Sequence, residues 1–171
     1  MPRRLTLSLV PVCLCTFLVL AGCGDASELD VAAGRYRLQV DGAVTDTLAG
    51  PALLRSARPP RMGLELGPRD GPGLSMQLAP APADTVSGAS LGRYEVVQAF
   101  LPDDAPPDSL SRVIAFLSLA DANFIAAQGH LAVTHADDGA VRGTFDFEMT
   151  EQGRSDPRTI RVTGALRATA P

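Results

Sequence analysis

The chain has 171 residues, 46% hydrophobic and 20% charged, with 16 Gly, 14 Pro, no Trp, a formal charge of −4 and only Arg among its 15 basic residues. Those totals suit one globular domain and exclude a collagen-like, coiled-coil or polytopic membrane chain. Its three cysteines, Cys13, Cys15 and Cys23, all lie in the first 23 residues, so the rest of the chain has no thiol pair for a disulfide or zinc site and must fold on its core.

Residues 1–22 begin with Arg3 and Arg4, continue as an apolar run from Leu5 to Leu20, and end in small residues. That order predicts a secretory signal peptide. A spanning helix needs about 20 apolar residues, whereas this run is shorter, contains Pro11 and has no basic stop beyond it. The segment Leu20-Ala21-Gly22-Cys23 resembles the lipobox of bacterial lipoproteins. The resemblance implies that Cys23 becomes the first residue of the mature chain, with a diacylglyceryl group on its sulfur and an acyl chain such as palmitate on its amine. Several acyl chains, at about 0.8 kcal/mol per buried CH₂, anchor a protein without a spanning helix. Gly24 stands where an Asp would favour inner-membrane retention in enterobacterial lipoproteins, which points to the outer membrane of a Gram-negative envelope.

The signal holds two of the 15 Arg and no acidic residue, so 13 Arg face 19 acidic residues in the remainder, a charge of −6. An acidic, Lys-free body predicts no basic stripe for phosphates and argues against a nucleic-acid partner.

Residues 23–30 form a short lipidated tether, and residues 31–171 a single β domain. Tyr36, Leu38 and Val40 alternate with Arg35, Arg37 and Gln39, and similar strands are expected at 50–56, 62–66, 73–78, 92–100, 129–135, 141–150 and 158–168. Pro59-Pro60, Gly67-Pro68, Gly71-Pro72-Gly73 and Pro106-Pro107 punctuate them. This spacing predicts an all-β fold, an antiparallel β-sandwich or small β-barrel. Residues 79–91 read as a long loop. Residues 108–120 fit a helix capped by Ser109, or a strand with Val113, Ala115, Leu117 and Leu119 on one face; the strand is preferred because the surrounding chain is β.

The last third of the chain carries a register prediction for a three-stranded meander. Leu131 and Val133 share one face, as do Val141, Gly143, Phe145 and Phe147, and joining these faces requires an odd loop. Asp137-Asp138-Gly139 supplies one, with Gly139 in the left-handed position after a type I turn. Val133 then faces Gly143, Leu131 faces Phe145, and His130 faces Asp146 on the wetter side. In the next hairpin, Met149 against Ile160 sets Phe147 opposite Val162, Phe145 opposite Gly164 and Glu148 opposite Arg161. A two-residue slip would set Asp146 against Arg161, and the pattern leaves both registers open. The run Gly129 to Val133, Val141 to Phe147 and Val162 to Gly164 is similar to the C-terminal halves of small β-rich bacterial envelope lipoproteins of uncharacterised function. That resemblance covers about 40 residues and implies hairpins, not catalytic residues.

One polar cluster comes out of these registers: His130, Asp146, Glu148 and Arg161. Imidazole beside carboxylates suits a weak metal or acid/base site; the plainer reading, a solvated face with cross-strand charge pairs, is preferred because no pocket is implied. His135 has inward parity and is expected to pack at a strand end. Asp103-Asp104 and Asp137-Asp138-Gly139 fit turns better than calcium loops. The recurrence of Gly34-Arg35-Tyr36 as Gly92-Arg93-Tyr94 is too short to argue for duplication. No nucleophile elbow, zinc-protease, P-loop or dinucleotide motif occurs, so no catalytic, cofactor-binding or metal-ligating residue is assigned. The sequence thus predicts a lipid-anchored envelope lipoprotein acting as a non-enzymatic interaction or structural module, with protein, glycan or lipid as its partner. The alternatives are a carrier of a hydrophobic ligand in a β-barrel and a hydrolase using the His130 face.

Overall fold

The computed structural model describes residues 30–55, 62–68, 70–81, 91–98, 110–137 and 139–171. The signal, Cys23, most of the tether, Asp103-Asp104 and the Pro59-Pro60 and Pro106-Pro107 clusters lie outside the described residues. The described residues form nine strands and no helix: β1 Arg35–Gly42, β2 Asp46–Arg55, β3 Met62–Leu66, β4 Gly73–Ala79, β5 Gly92–Val96, β6 Ser111–Ser118, β7 Asn123–Ala136, β8 Ala140–Glu151 and β9 Thr159–Thr169.

All nine belong to one sheet that closes in a ring, ordered β1-β2-β3-β4-β6-β5-β7-β8-β9, with β9 returning to β1. Closure removes the free edges that an open sheet would offer to other chains. Most neighbours are antiparallel. The exceptions are β5 beside β6, from Tyr94↔Ser111 to Val96↔Val113, and a single contact of β2 with β9 at Leu53↔Thr169. The short β5 fills a wedge between β6 and β7: Phe116–Ser118 pair directly with Asn123–Ile125, while the far half of β7 pairs with β5.

Alternation places the core. In β1, Tyr36, Leu38 and Val40 are buried between exposed Arg35, Arg37 and Gln39, and β4 buries Leu74, Met76 and Leu78 in the same way. The segment left between helix and strand is β6, with Val113, Ala115 and Leu117 inward and Leu119 packed against the same core. Tyr94, Phe124, Phe145 and Phe147 are the largest fully buried side chains; the last two stack at 5.4 Å and 16°. Small residues make room for them. A Cβ on Gly164, opposite Phe145, would lie 2.5 Å from the Arg37 carbonyl oxygen and 2.7 Å from the Phe145 ring. The two Gly-Arg-Tyr segments play equivalent local roles, each opening with a positive-φ glycine and burying its tyrosine, in β1 and in β5.

The meander has the expected pairing. Val133 faces Gly143, Leu131 faces Phe145 and His130 faces Asp146; Met149 faces Ile160, Phe147 faces Val162 and Glu148 faces Arg161. The turn between β7 and β8 differs from expectation. Ala136 pairs with Val141 and the Asp137 N–H donates to the Ala140 oxygen at 3.0 Å, so the odd residue is absorbed by a register shift between Val133 and His135. The Asp137 Oδ1 accepts from the Gly139 and Ala140 N–H groups at 2.9 and 2.6 Å, an Asx-type closure.

A second shift, between Ala126 and Gln128, explains why β7 begins at Asn123 and not at 129. Phe124 and Ala126 point inward before it, Leu131 and Val133 after it, so the period-two phase breaks within the strand. β2 likewise begins at Asp46, where exposed Thr47 and Ala49 weaken the hydrophobic alternation, and β5 ends at Val96, short of residue 100. The expected loop after β4 begins with buried Pro80 and Ala81, and the Ala81 N–H donates to Ser111 Oγ at 3.1 Å.

Candidate functional site

The outer wall of β7, β8, β9 and β1 carries the predicted cluster. Backbone pairing lines up Glu95, His130, Asp146, Thr163 and Gln39 in one lateral row, and Gln128, Glu148, Arg161 and Asp41 in the next. Arg161 stands directly opposite Glu148, yet its guanidinium reaches diagonally to Asp146, with Nε–Oδ1 at 2.9 Å and Nη2–Oδ2 at 2.6 Å. Diagonal neighbours in a sheet lie within reach of so long a side chain, so the two charge pairings that the sequence left open are divided between backbone and side chain. Glu148 accepts from Gln128 Nε2 at 2.7 Å, and Asp41 accepts from Gln39 at 3.0 Å. Arg93 pairs with Glu95 at the far side of His130.

The Arg161 hydrogen bonds hold the Asp146 carboxyl below its ordinary value, against a smaller upward push from burial; the charges of Arg161 and His130 add to the lowering. Asp146 is therefore an ionised partner of a guanidinium, ill suited to give or take a proton near neutrality. Among the described residues no three His, Cys, Asp or Glu side chains are grouped to hold a metal ion. On this face Asp146 and Glu95 are ion-paired with Arg161 and Arg93, while Glu148 and Asp41 accept from neutral glutamine amides.

His135 departs from its predicted role. The register shift after Val133 turns it outward, opposite Arg142, where its side chain is 61% exposed and its Nε2 lies 3.1 Å from Asp137 Oδ2. Inward parity would have required an unbroken strand. Glu151, one residue beyond the expected strand 141–150 and the last of β8, is the other residue the sequence did not single out. Its side chain is 5% exposed and accepts from Arg158 at 2.7 and 2.8 Å, with Arg154 at 3.7 Å. Arg158 also lies 6.0 Å over the Phe124 ring, so the pair ties the β8–β9 loop to the core.

A second polar region occupies the other end of the same wall. Arg142 of β8 pairs with Arg167 of β9, and Arg167 pairs with Arg35 of β1, placing three exposed arginines side by side across three strands. Arg37 stands two residues further along β1 on the same exposed face. Among the described residues these four form no salt bridge, whereas Arg55, Arg93, Arg158 and Arg161 each meet a carboxylate. The composition reading of a body without a basic stripe missed this row, because net charge averages over the surface. Next to it lies a groove of about 630 Å³ whose lining includes Arg142, Arg167, Thr144, His135, Asp137 and Val31. Ala165, outward by parity but only 3% exposed, forms part of the groove wall.

The N-terminal segment enters at this place. Val31 lines the groove, the Gly34 N–H donates to the Arg167 oxygen at 2.7 Å, and the Arg35 N–H donates to the Ala32 oxygen at 3.1 Å. Comparison of the chain with protein-family models, with curated proteins and with solved structures found no match in any of the three.

Proposed function

We propose that the protein is a lipid-anchored envelope lipoprotein, held by acylated Cys23, whose β domain acts as a non-enzymatic interaction or structural module. The observation that carries this reading is Leu20-Ala21-Gly22-Cys23 placed directly after a basic, apolar leader and a few residues before the folded domain. Two features support the non-enzymatic part. On the His130 face Asp146 is held ionised by Arg161, and the groove beside Val31 is flanked by guanidinium groups that meet no carboxylate among the described residues; such groups bind anions.

Closure of the sheet favours the carrier reading, but the inward positions are held by side chains such as Tyr94, Phe124, Phe145 and Phe147, which a ligand would have to displace. A lipid co-purifying with a Cys23→Ser form would support that alternative. The principal test is mass analysis of the N-terminal peptide after metabolic labelling with an alkyne fatty acid. The expected result is a chain starting at acylated Cys23, and label lost in Cys23→Ser. An unmodified Cys23, or cleavage elsewhere, overturns the lipoprotein reading.

A further inference from the structure

We infer that the arginine row Arg142–Arg167–Arg35, with Arg37, is a docking surface for the anionic face of the bilayer that holds Cys23. The inference rests on the lipidation reading and adds the orientation of the domain on its membrane. Like charges directly opposite in adjacent strands are unfavourable, and this sheet sets arginine opposite arginine twice in succession, at Arg142↔Arg167 and Arg167↔Arg35. Elsewhere on the same wall Arg161 and Arg93 have carboxylate partners. Among the described residues the one carboxylate lining the adjacent groove, Asp137, is engaged by His135 and by its own turn. Four positive groups therefore face outward on a body whose charge is otherwise acidic.

The tether decides which anionic surface lies within reach. Val31 lines the groove beside Arg142 and Arg167, and eight peptide steps separate it from Cys23, a span of at most about 29 Å when fully extended. An acyl anchor at Cys23 thus delivers the row to the lipid headgroups from its own side of the domain. Within the Debye length, about 8 Å at physiological salt, each Arg near an anionic membrane surface strengthens binding roughly fivefold. Guanidinium also suits phosphate by forked hydrogen bonding.

All nine strands lie between Arg35 and Thr169 and close on one another, so the chain from residue 23 onward contains the whole sheet. That chain, carrying Cys23→Ser so that no acyl group contributes, is mixed with phosphatidylcholine vesicles with or without phosphatidylglycerol. Binding is expected only to the anionic vesicles, and is expected to fade as salt rises. Arg142→Gln/Arg167→Gln should weaken it about 25-fold, while Arg55→Gln, removing a paired arginine on β2, should leave it unchanged; a cooperative urea transition would establish that each variant is folded. Equal partitioning onto both vesicles, no binding to either, or equal loss in the Arg55 variant overturns the inference. Binding of an oligonucleotide without binding of anionic vesicles overturns it in favour of a nucleic-acid surface. Because the assay uses an unacylated chain, a negative result is distinct from failure of the lipidation reading, which is measured on the Cys23 peptide.

Discussion

Two regions of one outer wall, a few residues apart along β8 and β9, are built on opposite electrostatic plans. Around Asp146 each charged side chain ends on a partner: Arg161 on Asp146, Gln128 on Glu148, Gln39 on Asp41. Around Arg167 the same strands, paired in the same register, set like charges next to each other. Backbone pairing and twist do not distinguish these regions; side-chain identity does. The hydrogen-bonded face contributes to holding three strands together. The arginine row works slightly against the sheet and leaves four guanidinium groups without a carboxylate among the described residues, which is the composition expected of a surface whose partners come from outside.

The largest expected effect comes from the core beneath both regions. Phe145→Ala removes a buried ring that stacks on Phe147 and fills the space above Gly164. It should cost about 3–5 kcal/mol, read as a lower urea midpoint, and the two faces should be lost in one transition. Separate transitions would show that the faces stand on independent parts of the sheet.

Gly129→Ala acts nearer the Asp146 face. Gly129 has φ +118°, and a Cβ there would collide with the Asp146 carbonyl oxygen. The expected cost is about 1–3 kcal/mol, with the anionic-vesicle binding of the folded chain retained. Loss of that binding in a folded Gly129→Ala chain would tie the two regions together.

Charge reversal should separate the regions by sign. Arg142→Glu replaces a repulsive neighbour of Arg167 with an attractive one and should raise stability by about 0.2–1 kcal/mol. Arg161→Glu sets an acid against Asp146 and should lower it. Shifts of the urea midpoint in the same direction would remove the contrast.

The smallest effect is a pH dependence. Because Arg161 holds Asp146 below its ordinary value of 3.8, the folded chain takes up this proton at lower pH than the unfolded chain does. The contribution of the pair is complete above about pH 5 and is lost as the pH falls through the folded value. Asp146→Asn should therefore be less stable than the parent near neutrality, and the difference in urea midpoint should close in acid. A constant difference from pH 7 down to pH 2 would show that the carboxylate charge is not what Arg161 recognises.

The meander was legible because its hairpins are local and its inward residues are large. One phase of alternation puts Phe145, Phe147 and Met149 inside, and a one-residue slip would put them in water. His135 was misread for the same reason, since nothing around Thr134 announces the register shift that reverses parity. The arginine row was half legible. Arg142↔Arg167 belongs to the same register as Met149↔Ile160, whereas Arg35 joins the row only because β1 closes the ring onto β9.

By itself, then, the sequence determined the all-β strand pattern, most of the buried set and the facing of Leu131 with Phe145, set by periodicity and short-range order, and narrowed the β8–β9 hairpin to two registers, of which the structure has Met149 opposite Ile160. Tertiary structure decided ring closure over a two-sheet sandwich, the insertion of β5 between β6 and β7, and the juxtaposition of Arg35 with Arg167. Ring closure and that juxtaposition depend on pairing between strands more than 100 residues apart, where many partners satisfy the same alternation and only the packing of the whole core selects one.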